Sequence, residues 1–377
     1  LSDEAYEWIC HLLDLIEQRG EWPDGMLHGK GTFLAKTRDD LLNPFKYRIL
    51  TILSAVYRRW ATARLLQYRG WVNSWVLPEM FAGVPGQGAQ DAWFTSSIEN
   101  EWMAVNGIPF SLGSTDIFKC FDQVVRPLVY KIMREAGMPE EIVRAYEAFQ
   151  ENVVHYNTIT GGLGRAHWRW CGIPQGCPWS MALIALLMRV WILEMRGLGA
   201  VPRVLADDLT VKARGQWHRD IFVQAFNATN WHIARIGGRI SPEKAWTSST
   251  DEHVRTFLRS MEWESLGGAR VACVVHTRDL GAHFNIANRS ISTTGSDRLR
   301  HAICLTNRIG WISTSLERKL LVIRTKVIEA AIYGCEASQP SQSLLRALQS
   351  AILDVLSAGS SIRSPALTFT LRGEEPL

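Results

Sequence analysis

The run Pro202-Arg-Val-Leu205-Ala206-Asp207-Asp208-Leu209-Thr-Val-Lys212 sets two adjacent carboxylates between two short apolar stretches. The pattern predicts strands over Pro202–Leu205 and Leu209–Lys212, flanking the acidic pair. About ninety residues earlier Asp116 ends another apolar run, Phe110–Thr115, which also reads as a strand. A sheet pairing these elements would bring three carboxylates to one edge. Like charges in one site repel and raise one another's pKa, so a cation must offset them. Oxygen-only ligands favour Mg²⁺, which keeps several waters and takes one or two carboxylates plus substrate phosphates. Two such ions roughly 3.5–4 Å apart would clamp the attacking and leaving oxygens of a phosphoryl transfer. The plainer reading is a solvated turn. Asp39-Asp40 repeats the dipeptide in a loop, and Asp at a hairpin tip is ordinary turn chemistry. Spacing alone leaves both readings open.

Composition narrows the class. The chain has 377 residues, 47% of them hydrophobic, with 41 Lys+Arg against 37 Asp+Glu. That balance excludes wholesale disorder, collagen-like repeats and a coiled coil. Seven scattered cysteines with no Cys-x-x-Cys pair argue against a disulfide scaffold and a zinc ribbon, and fit a reducing compartment. No targeting signal is visible: residues 1–25 carry seven Asp/Glu and one Arg. The longest apolar core of an uncharged stretch, Met181–Met188, is far short of the ~20 residues a membrane helix needs. The net charge of +4 names no partner by itself. Sixteen tryptophans serve cores and base stacking alike.

Outward from the acidic pair, Ser180–Met195 is apolar almost all round and predicts a buried helix. Helices are also expected over 3–18, 54–67, 89–106, 122–135, 139–151 and 216–236, and through much of 298–355. Further strands are expected at Thr32–Ala35, Val153–Thr158, Ala166–Cys171 and Val271–Val275, the middle two joined around Gly161-Gly162-Leu163-Gly164. From Lys36 to Arg69 eight Lys/Arg face two Asp. The helix over 54–67, with Arg58, Arg59 and Arg64, is either a solvated face or a phosphate-binding one.

Several stretches together resemble reverse transcriptases. Asp116-Ile-Phe-Lys-Cys-Phe121-Asp122 resembles motif A, and Gly172-Ile-Pro-Gln175-Gly176-Cys-Pro178-Trp-Ser180 resembles motif B in the form typical of non-LTR retrotransposons. Leu205-Ala206-Asp207-Asp208 resembles motif C, Ile240-Ser-Pro-Glu-Lys244 motif D and Asp279-Leu-Gly281 motif E. Trp22-Pro23, Phe33-Leu-Ala-Lys36, Tyr47-Arg48-Ile49 and Phe81-Ala-Gly-Val-Pro-Gly-Gln-Gly88 look like finger motifs, and Tyr333-Gly334-Cys-Glu336 like an element downstream of the polymerase core. Each is weak alone; their shared order is specific, and it covers about residues 20–357.

The resemblance implies an α+β right-hand polymerase with fingers, a palm holding an antiparallel sheet, and a helical thumb. Its expected divisions are 1–75 for the N-terminal helix and fingers, and 76–285 for the palm and remaining fingers. Thumb and post-polymerase element would follow over 286–360, with a tail at 361–377. The implied activity is RNA-directed DNA polymerisation, with RNA template, DNA primer and dNTPs as partners and two Mg²⁺ ions (Mn²⁺ as the alternative). Asp116, Asp207 and Asp208 would form the metal-binding catalytic set, and Lys244 is a candidate general acid for pyrophosphate. Lys36 and Arg48 would reach triphosphate oxygens. Amides of Phe118 and its neighbours would cradle the triphosphate, and Phe121 would exclude a ribonucleotide 2′-hydroxyl. Gln175 would line the nucleotide and template pocket, where Gly176 permits close backbone approach. Basic residues at 36–69 and 298–326 would grip phosphate in fingers and thumb.

Departures from the family pattern are Leu205 where an aromatic is usual, Ala245 after Lys244, Met181 after Ser180, and Gln87 in the finger loop. None removes a carboxylate. No endonuclease, RNase H or zinc-knuckle signature is visible, so target cleavage is expected from sequence outside this chain. The alternatives are a catalytically silent RNA-binding descendant and a group II intron-type maturase. No membrane association is expected, and the resemblance implies an intracellular, nuclear protein.

Overall fold

The computed structural model describes residues 2–36, 40–159, 161–287, 292–357 and 364. Asp39 and most of the 361–377 tail therefore lie outside the described residues. In chain order the strands are β1 (His28–Ala35), β2 (Tyr47–Leu53), β3 (Phe110–Asp116), β4 (Val154–Ile159), β5 (Gly162–His167) and β6 (Val201–Leu205). They continue with β7 (Asp208–Arg214), β8 (Trp246–Ser249), β9 (Ala272–Cys273), β10 (His276–Asp279) and β11 (Ala282–Asn285). The sheets run β2-β1-β4-β5, β6-β7-β3-β8-β9 and β10-β11. Two compact units divide the chain: Leu1–Gly88, Leu112–Thr247 and Arg259–Ala272 form the first, and Ala89–Ser111, Ser248–Leu258 and Cys273–Leu377 the second.

In the first unit, β1 pairs antiparallel with β2 and parallel with β4. The strand expected at Thr32–Ala35 starts earlier, at His28, because Gly29 and Gly31 let β1 lie close to its neighbours. A Cβ at Gly29 would sit 2.9 Å from His155 Nδ1. The apolar helix Ser180–Gly197 is buried as its pattern requires, with Leu183, Ile184, Trp191, Ile192 and Met195 all fully enclosed. Beside it, Tyr57 stacks on Phe149 at 3.5 Å between ring centroids, and Trp22 meets Tyr57, Trp60 and Phe149 edge-on.

Two sequence expectations need correction. The second hairpin strand is Gly162–His167, not Ala166–Cys171: Gly161 at φ +84° completes the turn, so the glycines after it enter the ladder. The strand expected over Val271–Val275 is only Ala272–Cys273. On the helix read as either a solvated or a phosphate-binding face, Arg64 has a partner inside the fold. It ion-pairs with the buried carboxylate of Glu17 (Nε–Oε1 2.6 Å), which also accepts from Trp60 Nε1 at 2.6 Å. Arg58 and Arg59 on the same helix, Ala55–Gln67, are exposed.

The second unit is mostly helical. Helices Thr293–Gly310 and Gln342–Leu356 bury a common core of Leu299, Ile309, Ile323, Leu348, Ile352 and Leu356. The Tyr333-Gly334 element clips onto the β10–β11 hairpin. Tyr333 Oη donates to Leu280 O at 3.3 Å, and its ring packs edge-on against Trp93. Gly281 and Gly334 both hold positive φ (+88° and +80°), and a Cβ at either would crowd the other side of this contact. Among the described residues no helix is long and apolar enough to cross a membrane.

Candidate active site

Asp116 ends β3, and Asp207 is the second residue of the two-residue turn between β6 and β7, where Leu205 pairs with Asp208. That turn holds Ala206 at φ +59°, a left-handed conformation that a non-glycine residue adopts only at some cost in strain. The far edge of β6 is held by Glu79–Phe81: Val204 N donates to Glu79 O and Phe81 N to Val204 O, both at 3.0 Å. Asp116 and Asp207 feel one another's charge. Asp207 is pushed above the ordinary carboxylate range, first by burial and then by Asp116, against the opposing pull of Arg48 and Lys244. Asp208 opens β7 half-buried beside them.

The segment carrying Lys244 is laced to the end of β3. Ile117 bridges Ile240, Phe118 N donates to Arg239 O at 2.8 Å, and Ser241 N donates to Asp116 O at 3.1 Å. A turn closed by Lys244 N on Ser241 O then delivers the side chain, whose Nζ lies 2.5 Å from Asp116 Oδ2. The Phe118 bond corrects one expectation: its amide is engaged by protein, so it cannot cradle a triphosphate while that bond holds.

Lys36 and Arg48 approach from the first sheet. Arg48 lies in β2 opposite Leu34, and Lys36 follows β1 with its amide on Lys46 O. The Lys36 ammonium is held below its usual range by burial, then by repulsion from Lys244, Arg48 and Lys119, while Asp116 opposes the shift. Four cations, Lys36, Arg48, Lys119 and Lys244, thus share one electrostatic neighbourhood with Asp116 and Asp207.

Lys119 is a member that sequence reasoning did not single out, although it stands inside motif A. It sits at φ +46°, with Nζ 4.9 Å from the Phe45 ring centroid and 6.0 Å from that of Phe118. The buried Cys120 beside it is a thiol, not a nucleophile. Burial, followed by the charges of Asp207, Asp116 and Asp122, pushes its pKa to about 12.

Phe121 is half-buried, and its backbone joins motif A to the approach to motif B. Ile173 N donates to Phe121 O and Gly172 N to Val124 O, both at 2.8 Å. Gln175 and Gly176 meet β2 instead: Thr51 N donates to Gln175 O at 2.8 Å, and a Cβ at Gly176 (φ +131°) would lie 2.4 Å from Thr51 O. The close approach this glycine permits is therefore to the strand bearing Arg48. The next residue, Cys177, is buried with its sulfur 3.0 Å from Tyr57 Oη, which anchors motif B to the aromatic core.

Among the described residues no group of three or more His, Cys, Asp or Glu side chains gathers closely enough to hold an ion unaided. Mg²⁺ needs no such cage, since water and substrate phosphate complete its shell. The donors fit a hard cation: Asp116 and Asp207 offer only oxygen, and Lys244 already places a positive charge on Asp116.

A family model described as reverse transcriptase (RNA-dependent DNA polymerase) matches residues 42–267. The chain belongs to this family. No curated protein matches it. Among solved structures it is similar to telomerase from Candida albicans in complex with a TWJ fragment of telomeric RNA. That match has 12% identity and a TM-score of 0.52, covering 99% of this chain and 71% of the other. Apo telomerase from Candida tropicalis, truncated from its C-terminal domain, aligns at 10% identity and a TM-score of 0.48, over 74% of this chain and 58% of that one. The chain thus spans between 58% and 71% of the length of these two telomerase chains. At such identities the likeness concerns the fold, which is the α+β right-hand polymerase fold.

Proposed function

We propose that the chain is an RNA-directed DNA polymerase of a non-LTR-type retroelement, extending a primer 3′-hydroxyl with dNTPs on an RNA template. The observation that carries this reading is the meeting of Asp116 and Asp207 with Lys36, Arg48 and Lys244 in one compact unit. Asp116 and Asp207, with Asp208 adjacent, would hold Mg²⁺. The metal would supply Lewis-acid stabilisation of the charge that develops during nucleotidyl transfer. Lys36 and Arg48 would neutralise and orient the triphosphate, Arg48 as a fork and Lys36 as a point charge. Lys244 would give a proton to the departing pyrophosphate oxygen. Phe121 would close the pocket against a 2′-hydroxyl, and Gln175 would line it. The non-LTR assignment rests on the Gln175-Gly176-Cys177-Pro178 and Tyr333-Gly334-Cys335-Glu336 elements, and a nuclear site of action would follow from it.

Primer extension on poly-rA annealed to oligo-dT tests the reading. The wild-type chain is expected to add dTMP in Mg²⁺, to stop when the metal is chelated, and to prefer dTTP to UTP. No incorporation in either Mg²⁺ or Mn²⁺ would favour the silent RNA-binding descendant.

A further inference from the structure

The tryptophans range from enclosed to exposed, and seven of them are at least 41% exposed. Trp60, Trp93, Trp179, Trp191 and Trp263 are at most 1% exposed, whereas Trp168 and Trp170 are 57% and 92% exposed. An indole is a large apolar surface, and leaving two in water forfeits burial that the fold uses elsewhere. Among the described residues these are the one pair of exposed tryptophans two positions apart. Arg169 is half-buried, and its carbonyl accepts from the Arg126 guanidinium. Burial holds the Arg169 pKa below its usual range and Arg126 adds to the effect, while Asp122 opposes it.

The main chain here is fixed on both sides. Before it lies β5, the edge strand of its sheet, and after it Cys171 Sγ donates to Asp122 O at 3.4 Å. Ile173 then bonds to Phe121 of motif A and Gly172 to Val124 just beyond it. The two rings therefore stand at a defined place, within a few residues of the carbonyls of Phe121 and Val124. Their charged surroundings lean positive: Arg165 is exposed on β5 and Arg169 lies between them, against Asp122 and Glu151, the latter already paired with Arg126 at 3.2 Å.

Paired exposed rings, fixed backbone and flanking guanidinium groups suit a strand whose base faces are free and whose backbone is anionic. We propose that Trp168 and Trp170 form a stacking platform for unpaired bases of single-stranded nucleic acid, entering the site ahead of the duplex. The strand's identity as template rests on the polymerase reading above; the platform does not. Base–aromatic stacking contributes about 1–3 kcal/mol per base and tolerates any sequence. A duplex hides its base faces, so the platform should discriminate strandedness.

Fluorescence anisotropy with the full chain tests this, using labelled oligo-rU and a labelled blunt RNA–DNA duplex at one fixed salt concentration. The double variant Trp168→Ala/Trp170→Ala should weaken oligo-rU binding about 30-fold or more and leave duplex binding within about twofold. Trp170→Phe should keep most of the affinity. Trp217→Ala, which removes a 64% exposed indole elsewhere, should change neither. Circular dichroism checks the fold of each variant. Should the double variant unfold, the single variant Trp170→Ala tests the platform: it should weaken oligo-rU binding and spare duplex binding, and unchanged oligo-rU binding in it would overturn the proposal. Unchanged oligo-rU binding in the double variant overturns the proposal, as does equal loss on the duplex or a wild-type chain that ignores oligo-rU. Intact oligo-rU binding without dTMP incorporation would instead count against the polymerase reading and leave the platform standing.

Discussion

Lys244 Nζ lies 2.5 Å from Asp116 Oδ2, although 128 residues separate them in sequence. The contact exists because the backbone of Arg239–Ser241 is stitched to the end of β3, so motif D arrives with its lysine already aimed at motif A. If Lys244 acts as the acid for pyrophosphate, Lys244→Ala lowers the single-turnover rate of dTMP addition by about 10²–10⁴-fold, the range of general acid catalysis. Lys244→Arg, which keeps the ion pair but donates a proton poorly, should recover dNTP binding more than rate. Equal recovery of both would make Lys244 an electrostatic anchor only.

Gly176 and Thr51 give a stability prediction. A Cβ at 176 meets Thr51 O at 2.4 Å, and φ is +131°. Gly176→Ala should therefore cost about 2–3 kcal/mol from backbone strain and displacement of β2, measured as a fall in the urea midpoint. Arg48 lies in the displaced strand, so KM for dTTP should rise in the same variant.

Arg64 provides the contrasting case. It satisfies Glu17, whose side chain is only 9% exposed, at 2.6 Å. Arg64→Ala should destabilise the fold by about 2–3 kcal/mol by leaving that carboxylate unpaired. The slope of log Kd against log salt for template–primer should stay unchanged. A shallower slope would return Arg64 to the phosphate-binding surface.

Acid should weaken the fold through His155. This β4 side chain is 1% exposed, and burial, aided by the charges of Arg169, His167 and Arg126, lowers its pKa to about 3. The unfolded chain takes up a proton near pH 6.5, while the folded chain stays neutral to about pH 3. Between those values the unfolded state binds more protons, so stability falls as pH falls, by several kcal/mol over the whole window. His232 and His283 shift in the same direction, burial being the first cause for each. Urea unfolding at pH 7 and pH 5 should show the loss in wild type and a smaller one in His155→Gln.

The legible parts of the fold were those whose pattern is local. The β6–β7 pair, the apolar helix at 180–197 and the strand ending at Asp116 all follow from hydrophobic periodicity, and the motif order indicated which carboxylates to join. What escaped depends on distant or conformational partners. β2 lies inside a basic run that masks its alternation of exposed residues with half-buried and buried ones, and pairing with β1 makes it a strand. Lys119 joins the site through a positive φ that nothing in a lysine announces. The role of Arg64 stayed open between a solvated and a phosphate-binding face because its partner, Glu17, lies 47 residues away on another helix.

Asp116 and Asp207 together form the catalytic centre proposed above. The most direct measurement is dTMP incorporation on poly-rA/oligo-dT in Mg²⁺ by wild type, Asp116→Ala and Asp207→Ala, with folding of each checked by circular dichroism. Removing either carboxylate should forfeit several kcal/mol of transition-state stabilisation, a loss of at least about a hundredfold in rate. Template–primer affinity should stay within a few-fold. Incorporation by folded Asp207→Ala at the wild-type rate would rule out Asp207 as a catalytic carboxylate.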